Sequence, residues 1–243
     1  MRAVLVGSAS DNVWSNPAVW NTGSVPASSN ALNIRLDVSS TDNLGTAANP
    51  LVVNDVVGAT TGLTHPSLAM NGFLHANDVR NLSDIIINSN AGLTVRHNLA
   101  NVQSIEAHDG GFLSVGDDLV NVKTVGISFG STVGVGHGIG NTAFTFGIGG
   151  GNLILANPNG HGLGNLLNFG DGVAPAVIEL GRLKFNAADF IPNSPGSLTG
   201  KLDLTENGHT VYQLKDVQEF ASGGMFTVGI DSKTGYDFVS YHR

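Results

Sequence analysis

One serine in this chain has the setting of a nucleophile. Gly126-Ile127-Ser128-Phe129-Gly130 matches G-x-S-x-G, the turn on which many hydrolases expose a catalytic serine. Such a turn needs a strand before it and a helix after it, and no helical periodicity follows Ser128. A histidine able to take the serine proton, His108, stands twenty residues earlier, with Asn88 a further twenty before it and Glu106 available to orient the imidazole. Short strings of this kind arise readily in Gly- and Ser-rich chains. No catalytic residue is therefore assigned, and the chain is expected not to be an enzyme.

Metal chemistry has two candidate settings. Asn77, His97, Asp117 and His137 recur at intervals of twenty. If that interval is structural, His97, Asp117 and His137 stack into a column of metal-ligating groups, since His nitrogen and Asp oxygen both bind zinc at about 2.0–2.2 Å. The alternative is a polar corner, where Asn, Asp and His are all acceptable turn residues, and the adjacent Asn98 and Asp118 favour it. Calcium suits Gly/Asp-rich repeats, yet the nonapeptide that binds it in tandem does not recur. Single sites at Asp171, in Phe169-Gly170-Asp171-Gly172, or at Asp231 are the only calcium candidates, and no other cofactor is expected. The alternating glycines at 134, 136, 138 and 140 fit neither phosphate-binding spacing and are read as corners. Asp117 and Asp118 are neighbours, so in a strand they face opposite sides and make a poor acid–base pair.

What would position these groups is a repeat. Written in rows of twenty, the middle of the chain gives SDIIINSNAGLTVRHNLANV (83–102), QSIEAHDGGFLSVGDDLVNV (103–122) and KTVGISFGSTVGVGHGIGNT (123–142) without a gap. Leu93, Leu113 and Val133 share a column, as do Val95, Val115 and Val135, and Leu99, Leu119 and Ile139. Leu153 and Leu155 continue the first two. Alternation around Thr94 is the period-2 signature of a strand with one buried face, and Asn90, Gly110, Gly130 and Gly150 punctuate the rows as turns. Such a row cannot bury its apolar face alone. Stacked on its neighbours at about 4.8 Å it pairs every strand in parallel, which is a β-solenoid. The hand is expected to be right, because parallel crossovers strongly favour it. Asn81, Asn101, Asn121 and Asn141 form a further column, expected to be a ladder of amides bonded rung to rung; simple occupancy of left-handed turn positions is the alternative.

The ends differ from the middle. A solenoid needs caps over its open ends. Trp14 and Trp20, in DNVWSNPAVWNTGSVPASSNALNI, suit such a cap, with stacking on a sugar as the rival role. In LDLTENGHTVYQL (202–214) two alternating strands flank Asn207-Gly208, a type I′ hairpin signal that predicts antiparallel strands toward the C-terminus. The expected organisation is thus all-β: 1–50 as N-terminal cap and first strands, 51–165 as parallel solenoid core, 166–243 as C-terminal rungs and hairpin cap.

Bulk composition narrows the partners. The chain has 243 residues, 11 Lys+Arg against 19 Asp+Glu and a formal charge of −8, with no basic cluster. Nucleic acid is therefore not expected as a partner. There is no cysteine, which excludes disulfides and thiolate metal sites, and no transmembrane run. Residues 1–9, MRAVLVGSA, are short for a secretory signal, so an exported chain is expected to use a removed leader, a C-terminal signal or another route.

The stretch W-x5-W-x2-G-x-V-P-x6-N-I (14–34) resembles the segment that opens passenger repeats in secreted bacterial β-helical proteins of the adhesin and autotransporter group. GGGNLILANP (149–158), LLNFGDGVAPAVIELGRLKFNAADF (166–190), LTGKLDLTENGHTVYQLKDV (198–217) and FTVGIDSKTGYDFV (226–239) are similar to their repeats and C-terminal module. The resemblance implies an extracellular or cell-surface structural protein, an adhesin, matrix or filament component whose partners are further copies of itself or a cell-surface polysaccharide. No stretch of these 243 residues resembles the membrane β-barrel of the large autotransporters, so the resemblance leaves the export route open. The competing expectation is a carbohydrate-active or polysaccharide-binding β-helix, a lyase, hydrolase or phage-fibre-like receptor binder.

Overall fold

The computed structural model describes residues 2–6, 12–59, 65–158, 167–169, 174–219 and 224–242; Asp171 lies outside the described residues. The chain winds as a parallel β-solenoid. One sheet stacks Arg2–Leu5, Asn33–Leu36, Asp55–Gly58, Asp78–Ile87, Leu99–Ala107, Thr124–Ile127, Ala143–Phe146 and Leu167–Asn168, every neighbouring pair parallel. The other stacks Leu51–Val52, Phe73–Ala76, Gly92–Val95, Phe112–Val115, Ser131–Val135, Gly151–Leu155 and Ala176–Leu180, again in parallel. Among the described residues there is no α-helix, and Pro17–Val19 forms a 3₁₀ turn.

The twenty-residue register is the one read from the columns. Leu93, Leu113, Val133 and Leu153 lie opposite one another and continue to Ile178, while Val95, Val115, Val135 and Leu155 continue to Leu180. All ten are essentially inaccessible to solvent, and each such aliphatic side chain contributes about 1.5–3 kcal/mol on burial. Thr94, Ser114 and Gly134 between them face outward, so the pattern along Ser131–Val135 alternates strictly between buried and half-buried.

Between residues 83 and 155 one rung departs from the interval. Val125 pairs with Phe144 and Ile127 with Phe146, an offset of nineteen, and the offset returns to twenty at Ser131 and Gly151. The corner before Ala143 is one residue shorter than its predecessor. The corner Gly147-Ile148-Gly149-Gly150 is one longer, with Gly149 and Gly150 both at positive φ.

Parallel winding begins earlier than residue 51, since Arg2–Leu5 already pairs in register with Asn33–Leu36. At the other end both sheets turn antiparallel. Thr199–Glu206 pairs with His209–Gln218 around Asn207 and Gly208, whose φ of 52° and 82° fit the expected type I′ turn, and Ala187–Pro192 adds outside them. The second sheet continues through Asp237–His242 to Met225–Ile230. Phe146, Phe169, Phe226, Tyr241 and Phe190 close the core between these layers through successive ring contacts of 5.0–6.0 Å.

Candidate functional site

The solenoid's corners carry axial columns of polar side chains. Asn101 donates its amide to Oδ1 of Asn81 at 3.0 Å and Asn121 does the same to Asn101 at 3.0 Å. All three residues are left-handed, with φ of 61°, 55° and 55°, so the ladder and the turn conformation are both realised at one position. Asn141 does not join. In its shortened corner the left-handed position passes to Gly140 at φ 54°, and Asn141 moves out of the column into solvent. Asn101→Gly removes the two ladder bonds while keeping the backbone, with an expected loss of about 1 kcal/mol. Asn101→Ala adds the left-handed penalty and is expected to lose about 2 kcal/mol. Urea denaturation of the two variants separates the roles; equal losses would mean that the backbone conformation contributes nothing at this position.

A second amide ladder escapes the twenty-residue spacing. Asn54 donates to Asn33 and Asn77 to Asn54, each at 2.8 Å, across 21 and 23 residues. The column His97, Asp117 and His137 sits directly above it, with each backbone N–H bonded to the carbonyl of the residue below. Its side chains do not converge on one point. His137 Nδ1 lies 3.4 Å from Asp117, whereas His97 turns to Asp78, 3.8 Å away. Among the described residues no three His, Asp or Glu side chains are placed to hold a metal ion. The neighbouring Asp78, Asn98 and Asp118 form a staircase in which each side chain accepts the backbone N–H one rung on, ending at Gly138. This arrangement is the polar corner. Asp231 likewise uses its carboxylate within its own hairpin, accepting from the N–H groups of Thr234 and Lys233 and from the Thr234 hydroxyl, which lowers its pKa.

Ser128 and His108 do meet. His108 Nδ1 lies 2.9 Å from Ser128 Oγ, in a depression of about 440 Å³ that Glu106, Phe129 and Ile148 also line. The Glu106 carboxylate lies over Gly126, and no hydrogen bond links it to His108. The backbone N–H groups of Ser128, Phe129 and Gly130 bond to carbonyls of adjacent rungs, at Ala107, Ile148 and Gly150. None of the three is left to stabilise an oxyanion at Ser128.

Trp14 and Trp20 lie at the N-terminal end of the stack, 0% and 3% exposed, in an edge-to-face pair with centroids 5.6 Å apart. Trp14 Nε1 donates to Ser40 Oγ and Trp20 Nε1 to the Trp14 carbonyl. Neither ring offers a face to a sugar, so the ligand role gives way to the cap.

The surface beside the Asn81 ladder is a groove. Two adjoining depressions, about 570 and 380 Å³, share Asn121 and Lys123 and follow the stack axis. Exposed Asn101, Gln103, Asn121, Lys123 and Asn141 rim them, above a floor of buried Leu82, Val102 and Val122. Amides offer a donor and an acceptor each, as hydroxyl-rich ligands require, while Lys123 adds a positive charge and Asp118 a negative one. Neither the repeat nor any sequence motif marks this groove, because its walls come from four different rungs. Comparison with known proteins finds no matching family model, no matching curated protein and no matching solved structure.

Proposed function

We propose that the chain is an extracellular structural and adhesive β-solenoid, which holds the amide-lined groove against a cell-surface polysaccharide and associates with further copies of itself. The groove is the observation that carries this reading. Four successive rungs contribute to it, the asparagine ladder ties three of them together through Asn81, Asn101 and Asn121, and its one cation lies where the two depressions meet. An axial groove that repeats one amide geometry at Asn101 and Asn121 suits a polymer better than a single small molecule. The resemblance to secreted β-helical proteins supports the surface location.

The role is proposed as binding without turnover, which accords with the occupied N–H groups around Ser128. A panel of acidic and neutral polysaccharides, immobilised and titrated with the protein, tests it. Retention by at least one polymer, weakened about tenfold or more in K123E with unchanged circular dichroism, is the expected result. Absence of retention by every polymer and by whole cells would remove the adhesive reading. Chain shortening or new unsaturated ends in the same panel would replace it with the enzymatic one.

A further inference from the structure

We propose that two copies of this chain pair through the strand Met225–Ile230, antiparallel about a twofold axis, so that the second sheet runs on from one copy into the other. The proposal rests on the self-association in the reading above and names the surface and symmetry responsible.

The two ends of the molecule are protected unequally. At the N-terminal end each outermost strand is covered by the chain's own backbone. Val19–Asn21 bonds along Arg2–Leu5, the segment around Asn12 and Trp14 bonds to Thr41, and Ser28 and Ser29 bond to Val52. At the C-terminal end two strands are outermost, Ala187–Pro192 and Met225–Ile230; among the described residues each is hydrogen-bonded to a strand on one side alone, and the two approach each other across the core, where Phe190 stacks on Phe226 at 6.0 Å. The first carries exposed Asp189 and closes on Pro192, two features that discourage edge pairing. The second, Met-Phe-Thr-Val-Gly-Ile, has no charge and no proline. Half of its peptide groups face away from Asp237–His242, in position to bond another strand.

The occupant follows from the side chains. Phe226, Val228 and Ile230 lie opposite Tyr241, Val239 and Asp237, all buried, so the three share the inward face. Phe226 and Val228 are half-buried there, and Ile230 is 67% exposed. A twofold axis perpendicular to a sheet keeps every side chain on its own face, so self-pairing sets residues of equal parity against each other. With Val228 opposite Val228, Phe226 of each copy falls opposite Ile230 of the other, and Thr227 opposite Gly229. The apolar stripe therefore completes itself with a second copy of this same strand. Each copy has one Met225–Ile230 strand and the twofold pairing uses it, so the assembly closes at two.

The chain has no cysteine, so one introduced thiol reports the geometry alone. Opposed residues of an antiparallel pair have Cα atoms about 4.5–5.5 Å apart, within disulfide range. Mild oxidation is expected to convert most of V228C to a covalent dimer and to leave D189C, on the other free edge, monomeric. Wild-type protein is expected to sediment as a dimer and V228K as a monomer with wild-type circular dichroism, and mixing V228K with V228E is expected to restore the dimer. A wild-type monomer at every concentration, or cross-linking of V228C no greater than that of D189C, would overturn the pairing. Polysaccharide retention by V228K is read separately: pairing lost with retention kept confirms the interface, and a wild-type dimer without retention refutes only the adhesive reading.

Discussion

Asp42→Asn is expected to gain stability over the wild-type protein as pH rises from about 4 to about 8, by an amount on the order of 3–4 kcal/mol. Asp42 lies on the short strand Ser40–Asp42 with its side chain wholly inside the solenoid. One carboxyl oxygen accepts the Leu44 N–H at 2.8 Å; the other is buried without a hydrogen-bond partner. Burial disfavours the ionised form and outweighs the Leu44 bond, pushing the pKa from 3.8 to about 7. The folded protein therefore holds a proton that the unfolded chain releases near pH 3.8. Stability conferred by the neutral acid is complete below that value and is lost progressively as pH rises toward 7, after which the penalty is constant. An amide cannot ionise, so the variant lacks this slope. Urea denaturation at several pH values measures it, and parallel curves for the two proteins would show that Asp42 titrates normally in the fold.

Asp42 also shows where sequence reading stops. An aspartate between Thr41 and Asn43 in a polar stretch carries no sign of burial; only the pairing of its strand with Leu68–Met70 turns it inward. By contrast, rows 83–142 were legible because three rungs of equal length put chemically like residues at equal spacing. The Ser128–His108 contact followed from the same interval. Asn141 was misplaced because its corner lost a residue, a change that the next corner compensates and a fixed period cannot see. The Asn33–Asn54–Asn77 ladder stayed hidden for the same reason, its rungs being 21 and 23 residues apart. The interval places His97, Asp117 and His137 in one column but not their side-chain directions: His97 turns to a diagonal partner, Asp78, across the corner. The groove at Asn121 and Lys123 belongs to the surface between rungs and has no linear signature.

Trp14→Ala is expected to cost about 3–5 kcal/mol and to release the N-terminal cap before the rest of the solenoid. The ring is fully buried, packs edge-on against Trp20 and donates to Ser40, so truncation empties the end of the core and strands the Ser40 hydroxyl. Its backbone N–H bonds to Thr41, and the same segment continues to Val19–Asn21 along Arg2–Leu5. Loosening it uncovers the outermost edges of the first sheet at once, and exposed edges recruit other chains. Both tryptophans of the protein lie in this cap, so intrinsic fluorescence reports the cap while far-ultraviolet circular dichroism reports the whole stack. Trp14→Phe keeps a ring and loses the Ser40 bond, a milder change that preserves an optical signal through Trp20. In that variant the fluorescence midpoint in urea is expected to fall below the circular dichroism midpoint, and light scattering to rise between the two. Coincident midpoints with no scattering would mean that cap and solenoid melt as one unit. In that case the protection of the N-terminal edges comes from the stack as a whole, and the indole at position 14 contributes packing alone.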